Sequence, residues 1–261
     1  MDELLDNLQT DLEQNFSGLD IFCLNEVDST SRYLKSKAVT SISPAFCFSH
    51  SQVSGYGQQE RVWKSDQSSL TFSLLLDFSV AVGDLDGLTQ LIVLNIIQSL
   101  SDYSNQAYKI KWPNDLYVEG CKAGGILVEC VSYTDMNCRL VIGIGLNNGL
   151  SLPISDIHTN QSVLPGTIDL NDDDRNSFLI NVIDRLLMLS QTFHSGMFQQ
   201  YLVNYALVDY FDNGQSVNVY DNGFTKTGVY RGLTQHGELL VEVNGKLFTY
   251  RSGSVSIRPT N

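Results

Sequence analysis

The densest run of reactive residue types in the chain is Lys111-Trp112-Pro113-Asn114-Asp115-Leu116-Tyr117, followed by Lys122-Ala123-Gly124-Gly125-Ile126-Leu127-Val128-Glu129. Proline cannot donate to a sheet ladder, so Pro113 ends a strand. Asn114 and Asp115 then fall in a turn with their polar side chains available, and Gly120 supplies a hairpin bend. Lys122 stands beside two glycines just ahead of the next strand. Paired glycines let a backbone approach a ligand closely, and a lysine at that point can set a positive charge against an anion. Taken alone, the same residues fit equally well a hairpin carrying an ordinary surface lysine.

The hydrophobic pattern supplies the elements that must hold these residues. Helical spacing covers residues 3–16, where Leu4, Leu5, Leu8 and Leu12 recur, and also 85–103, 174–194 and 197–207. A further helix follows Asp28-Ser29-Thr30, which offers several N-cap oxygens. Strands are expected over 45–51, 70–78, 108–112, 125–133 and 139–146, with a polar loop from 147 to 173. Short turns between successive strands point to an antiparallel or mixed sheet, which makes the class α+β. Near Asp212 the pattern changes to strands over 216–220, 227–233, 239–243, 246–250 and 254–257. Asn222-Gly223, His236-Gly237 and Asn244-Gly245 are hairpin signals at even spacing. That run reads as a small SH3-like β-barrel, so two domains are expected, 1–211 and 212–261.

Composition excludes several classes. The 261 residues are 43% hydrophobic and 17% charged, enough to build a core. With 16 basic against 29 acidic residues the formal charge is −13, which repels phosphate backbones and argues against nucleic-acid binding. No apolar run is long enough for a transmembrane helix, and the acidic start lacks the features of a secretory signal, so no membrane partner and a cytoplasmic location are expected. The five cysteines, Cys23, Cys47, Cys121, Cys130 and Cys138, include no CxxC pair, and His50, His158, His194 and His236 form no recognisable cluster.

The central run closely resembles the signature of biotin–protein ligases, and further matches follow in the family's order. Glu26-Val27-Asp28-Ser29-Thr30-Ser31 is similar to its early Asp-Ser-Thr-Asn segment, and residues 51–63 to its glycine-rich loop. Val141-Ile142-Gly143-Ile144-Gly145-Leu146-Asn147 is similar to its Gly-x-Gly-x-Asn strand, and Asp174-Arg175-Asn176 opens a helix as the family's does. The resemblance runs from about Leu24 to Arg258. It implies a class II synthetase-like catalytic fold in two domains. It also implies a two-step reaction, in which biotin and MgATP give biotinyl-adenylate and a lysine of a biotin carboxyl carrier domain, as in acetyl-CoA carboxylase, then takes the biotin.

The same resemblance implies the site. Lys122 would meet the biotin carboxylate and the α-phosphate, with Asp115 orienting it and Arg61 reaching the triphosphate. Ser29, Thr30, Ser31 and Gln52 would contact biotin, together with Gly55, Tyr56, Gly57 and Gln58 of the loop and Gly124 and Gly125. Trp63, Lys111, Asn114 and Asn147 would serve the nucleotide, and Asn114 and Asp115 would hold Mg²⁺. Each has an ordinary structural reading as well: Trp63 as core, Ser29 and Thr30 as a helix cap, Asn147 as a turn residue.

The loop departs from the family's Gly-Arg-Gly-Arg-x-Gly-Arg-x-Trp: Tyr56 and Gln58 stand for arginines and Glu60 for a glycine. Lys64 is the nearest compensating cation in sequence, and with few apolar anchors the loop is expected to order only over ligand. About 20 residues precede the matching segment, too few for the winged helix of some members, so a ligase without direct repressor activity is expected. Two other readings remain: a ligase for another acid such as lipoate, and a non-catalytic vitamin-binding or partner-binding module. Homodimerisation through the 140–146 strand is left open.

Overall fold

The computed structural model describes residues 2–38, 44–65, 68–149, 165–253 and 255–260. Its larger sheet contains β1 (Asp20–Val27), β2 (Ala45–Gln52), β3 (Leu70–Phe78), β4 (Tyr108–Lys111), β5 (Asp115–Val118), β6 (Cys121–Tyr133) and β7 (Cys138–Leu146). Their spatial order is β1-β2-β3-β7-β6-β5-β4. Only β1 and β2 run parallel, and the crossover between them carries α2 (Thr30–Lys37), as a parallel connection requires. The sheet is therefore mixed and largely antiparallel, in keeping with the α+β expectation. β7 is paired to β3 on one side and β6 on the other, so the 140–146 strand has no free edge for dimerisation.

Side chains alternate across a strand, and here the alternation sorts them by size. Phe46 and Phe48 of β2, Phe72, Leu74 and Leu76 of β3, Ile142 and Ile144 of β7 and Ile126 of β6 share one face by register. That face is buried with α1 (Asp2–Asn15), α3 (Leu88–Ser101) and α4 (Arg175–Thr192) in one core, where Leu5, Leu8 and Leu12 of α1 take part. The opposite face carries Thr71 and Ser73 of β3, Gly143 and Gly145 of β7 and Gly125 of β6. Beside that strip, Leu34 of α2 packs on Ala45, Cys47, Leu75 and Val141, so α2 roofs part of the face, with Thr30 and Ser31 covering Ser73.

After α5 (Leu202–Val208) the chain enters a second sheet of β8 (Ser216–Asp221), β9 (Phe224–Leu233), β10 (Leu239–Val243), β11 (Lys246–Tyr250) and β12 (Ser256–Pro259). The Asn222-Gly223 and Asn244-Gly245 turns have positive φ at both residues (48° and 81°, 51° and 74°), the geometry of the two-residue hairpin. The expected SH3-like barrel is not confirmed: among the described residues this sheet is open. The strand order is β11-β10-β9-β8-β12, and β11 and β12 stay at the two edges because each pairs with a single neighbour. The expected last strand began at Ser254, which lies outside the described residues; the observed one starts at Ser256. Trp112, from the turn after β4, is buried in this second sheet's apolar cluster with Phe211, Tyr230 and Val241, and its indole N–H donates to the Gly237 carbonyl at 3.0 Å. His158 and most of the expected 147–173 loop also fall outside the described residues. Among them no helix is long and apolar enough to cross a membrane.

Candidate active site

The glycines of that strip, Gly125, Gly143 and Gly145, are the floor of a cleft of about 600 Å³ whose walls come from both sheets and from the 55–63 hairpin. Glycine on the floor is a matter of room. A Cβ on Gly145 would stand 2.5 Å from the Trp63 ring carbons, and one on Gly143 would stand 2.5 Å from Ser31 Oγ. The Trp63 indole thus packs against Gly145, and its N–H is buried with no hydrogen-bond partner among the described residues. A buried donor without a partner is uncommon, and this one sits in the wall of the cleft.

Lys122 and Asp115 meet over Gly125. The ammonium lies 2.6 Å from Asp115 Oδ1, and a Cβ on Gly125 would stand 3.5 Å from both atoms. The Lys122 ammonium is also 5.9 Å from the Trp63 ring centre, within reach of the π face. Asp115 does not sit in the expected turn. It opens β5 and pairs with Gly125, and a register shift between Leu116 and Tyr117 brings Lys122, opposite Tyr117, to the same face. Lys111 at the end of β4 pairs with Asp115 and reaches the Tyr117 hydroxyl at 3.3 Å. Burial lowers its pKa first, Asp115 opposes that, and Arg258 and Lys122 lower it further. Arg258, on β12 of the second sheet, lines the same cleft. Three cations around one carboxylate, in a chain of charge −13, select for an anionic ligand.

The far end of the cleft is neutral and hydrogen-bonded. Thr30 donates its backbone N–H to Gln52 Oε1 at 2.9 Å, its hydroxyl lies 2.8 Å from Ser73 Oγ, and Ser31 Oγ lies 3.0 Å from the same atom. Ser29 caps α2, its Oγ accepting from Arg32 N at 3.5 Å, so the cap reading and the cleft position hold together. Asn114 lines the cleft while donating to the Ile126 carbonyl at 2.5 Å. Asn147 donates to the carbonyls of Lys122 and Gly166 at 3.3 and 3.1 Å, which braces the strand that bears the lysine.

Of the residues expected in the site, Ser29, Thr30, Ser31, Gln52, Tyr56, Gly57, Gln58, Arg61, Trp63, Lys111, Asn114, Asp115, Lys122, Gly125 and Asn147 line this one cleft. Gly124 and Gly55 do not. Gly124 faces the other side of the sheet, where a Cβ would meet Leu146 at 2.7 Å, and a Cβ on Gly55 would meet the Trp63 carbonyl at 2.7 Å inside the hairpin. Arg61 is exposed and donates to Gln59 Oε1 at 3.2 Å. Sequence reasoning missed Tyr117, Leu127, Ser256 and Arg258, all of which line the cleft. The alternating glycines of β7 were a usable signal for the floor. Nothing local marks β12 as a wall.

Residues 24–147 match the model of the biotin/lipoate A/B protein ligase family. The chain is 28% identical over 246 residues to the bifunctional ligase/repressor BirA of Escherichia coli K12, covering 92% of this chain and 75% of that protein. It superposes on the biotin protein ligase of Aquifex aeolicus, solved in complex with biotin and ATP, with a TM-score of 0.75 at 25% identity, covering 92% of this chain and 99% of that one. The 24–147 segment is thus similar to the biotin/lipoate A/B protein ligase family. Arabidopsis thaliana biotin–protein ligase 2 is 36% identical over 107 residues, 39% of this chain and 32% of that ligase. Within the ligase family's matched segment fall Lys111, Asp115, Lys122 and the 55–63 hairpin, whereas Arg258 lies beyond it.

Proposed function

We propose that this chain is an ATP-dependent biotin–protein ligase. It activates biotin as biotinyl-adenylate and passes it to a lysine of a biotin carboxyl carrier domain, such as that of acetyl-CoA carboxylase. The observation that carries the reading is the Lys122–Asp115 pair over Gly125, at the charged end of a cleft with a neutral hydrogen-bonding far end. In the first step a carboxylate oxygen of biotin attacks the α-phosphorus of ATP and pyrophosphate leaves. In the second an acceptor amine attacks the acyl carbon and AMP leaves. Both steps gather negative charge on oxygens, so positioned cations lower the barrier without reorganising. Lys122 is the group we place against the carboxylate and α-phosphate, held in direction by Asp115. Lys111 and Arg258 face the polyphosphate, Trp63 walls the adenine, and Ser29, Thr30, Ser31 and Gln52 take the biotin head group.

One carboxylate and the Asn114 amide suit a Mg²⁺ ion that arrives with the nucleotide's phosphates, since magnesium is commonly held by one or two carboxylates plus substrate oxygens. We take MgATP as the substrate. We take residues 1–211 and 212–261 as the two domains and the cytoplasm as the location. The strongly acidic balance supports a reading without nucleic-acid partners.

The test is incubation of the protein with labelled biotin, MgATP and a carboxyl carrier domain. Label on the acceptor lysine is expected. Transfer of lipoate in place of biotin would reassign the substrate, and tight biotin binding without any turnover would favour a non-catalytic relative.

A further inference from the structure

The 55–63 hairpin is held by more than its composition promises. Its backbone closes on itself, with Trp63 N–H donating to the Gly55 carbonyl at 2.9 Å and Gly57 N–H to the Arg61 carbonyl at 2.8 Å. Tyr56 then ties it to the body of the protein. Its hydroxyl donates to Glu129 Oε2 at 2.7 Å and accepts from Lys35 Nζ at 3.0 Å, while Lys35 and Glu129 pair with each other at 2.5 Å. The phenol is gripped on its face as well: the Arg32 guanidinium carbon lies 4.4 Å from the ring centre, and Arg32 Nη1 donates to the Ser54 carbonyl at 3.1 Å. Burial first, and the Glu129 carboxylate besides, push the Tyr56 hydroxyl's pKa up, so it stays a neutral donor. At the outer end Gln59 Nε2 donates to the Gly253 carbonyl, between β11 and β12, at 3.0 Å. An arginine at position 56 would bring a third cation against Arg32 and Lys35; a tyrosine accepts one of them at its hydroxyl and the other on its ring.

We propose that Tyr56, seated between Glu129 of β6 and Lys35 and Arg32 of α2, is a latch that keeps the 55–63 hairpin folded over the cleft before any ligand arrives. Its segment then loses its conformational entropy when the chain folds rather than when substrate binds, which preserves affinity for a small anionic substrate where the loop itself has few charges to offer. Tyr56 acts in this way as a positioning residue for Trp63 and Gly57. The consequence for substrate rests on the ligase reading; the latch itself does not.

Amide hydrogen exchange of the ligand-free full chain tests it. Gly57 and Trp63 amides are expected to be protected in the wild type. In Tyr56→Phe, which removes the hydroxyl's bonds to both Glu129 and Lys35, they are expected to exchange at least about 10-fold faster, while β7 amides are unchanged. Lys35→Met, which cuts the same network from α2, is expected to do the same, and the double variant no more than either. In the enzyme assay Tyr56→Phe is expected to raise KM for biotin with kcat held. Unprotected Gly57 and Trp63 amides in the wild type, or amides indifferent to both substitutions, would overturn the latch. Faster exchange beside an unchanged KM would overturn its part in binding. Because exchange is read without ligand, a chain that never turned over biotin would fail the ligase reading while the latch is judged on its own data.

Discussion

Replacing Lys122 by alanine separates two quantities that differ by an order of magnitude. The Lys122–Asp115 pair is partly open to water, with 30% and 23% of the two side chains exposed. Pairs of that kind contribute about 0–1 kcal/mol to stability. At roughly 2–4 °C per kcal/mol for a chain of this size, the melting temperature should move by a few degrees at most. The same ammonium, set against the oxygens that gain charge as the mixed anhydride forms, should be worth about 2.7–4 kcal/mol, or about 10²–10³ in rate. Single-turnover formation of biotinyl-adenylate, read beside a thermal melt, measures both. Asp115→Asn is the companion variant. It keeps the shape of the pair but replaces an ion pair with a hydrogen bond from the ammonium to a neutral amide oxygen, so the expected loss is nearer 10-fold. A folded Lys122→Ala protein with near-normal adenylation would refute the role given to this residue. A large fall in melting temperature would mean that the pair is structural and that the geometric argument was misread.

Three further outcomes are expected. Gly145→Ala should raise KM for ATP about 10-fold with the fold intact, because the added carbon would stand 2.5 Å from the Trp63 ring and must tilt the indole off the floor; titration with ATP checks this, and an unchanged KM would place the adenine elsewhere. Asp209, buried beside the Tyr230 hydroxyl, has its pKa raised by burial from 3.8 to about 6. A raised acid stabilises fully below its unfolded pKa and loses that contribution as pH climbs through the folded value, so wild type should lose up to about 3 kcal/mol between about pH 4 and 6 that Asp209→Asn retains; parallel urea-midpoint profiles for the two proteins would sink this. Gln58→Arg should slow release of biotinyl-adenylate by about 10-fold, since a charge-assisted bond replaces a neutral one; a release rate that does not fall would mean that position 58 does not face the phosphate.

Much of this molecule could be read from its residues, because both patterning and motif were local. The Lys122-x-Gly-Gly segment, the Asn-Gly hairpins and the helix with Leu5, Leu8 and Leu12 all announce themselves within a few positions. What escaped was non-local. β1 has no clean alternation, since Asn25 and Glu26 interrupt it, and it is a strand because β2 pairs with it. Asp115 looked like a turn residue after Pro113, and the ladder to Gly125 made it part of β5. The barrel was expected from strand count alone, whereas closure depends on whether β11 and β12 meet, which no local signal encodes. Lys64, the nearest cation in sequence, does line the cleft, and Arg32, remote in sequence, also reaches the loop, lying 3.4 Å from Glu60 and stacking on Tyr56. Glu60 itself has φ 55°, a left-handed conformation that suits the glycine of the family pattern better than a glutamate.

Trp112 has a consequence for how the chain melts. Its backbone sits between β4 and Asn114 in the centre of the ligase motif, yet its ring fills the interior of the other sheet and is clasped there by Gly237. Pulling the two sheets apart would expose a large indole on one side and leave a void on the other, with an indole-sized loss of about 3–5 kcal/mol by analogy with core truncations. The two halves should therefore unfold as one cooperative calorimetric transition, and a chain cut off after Phe211 should behave as an unfolding-prone fragment with a disordered motif turn rather than as a smaller working enzyme.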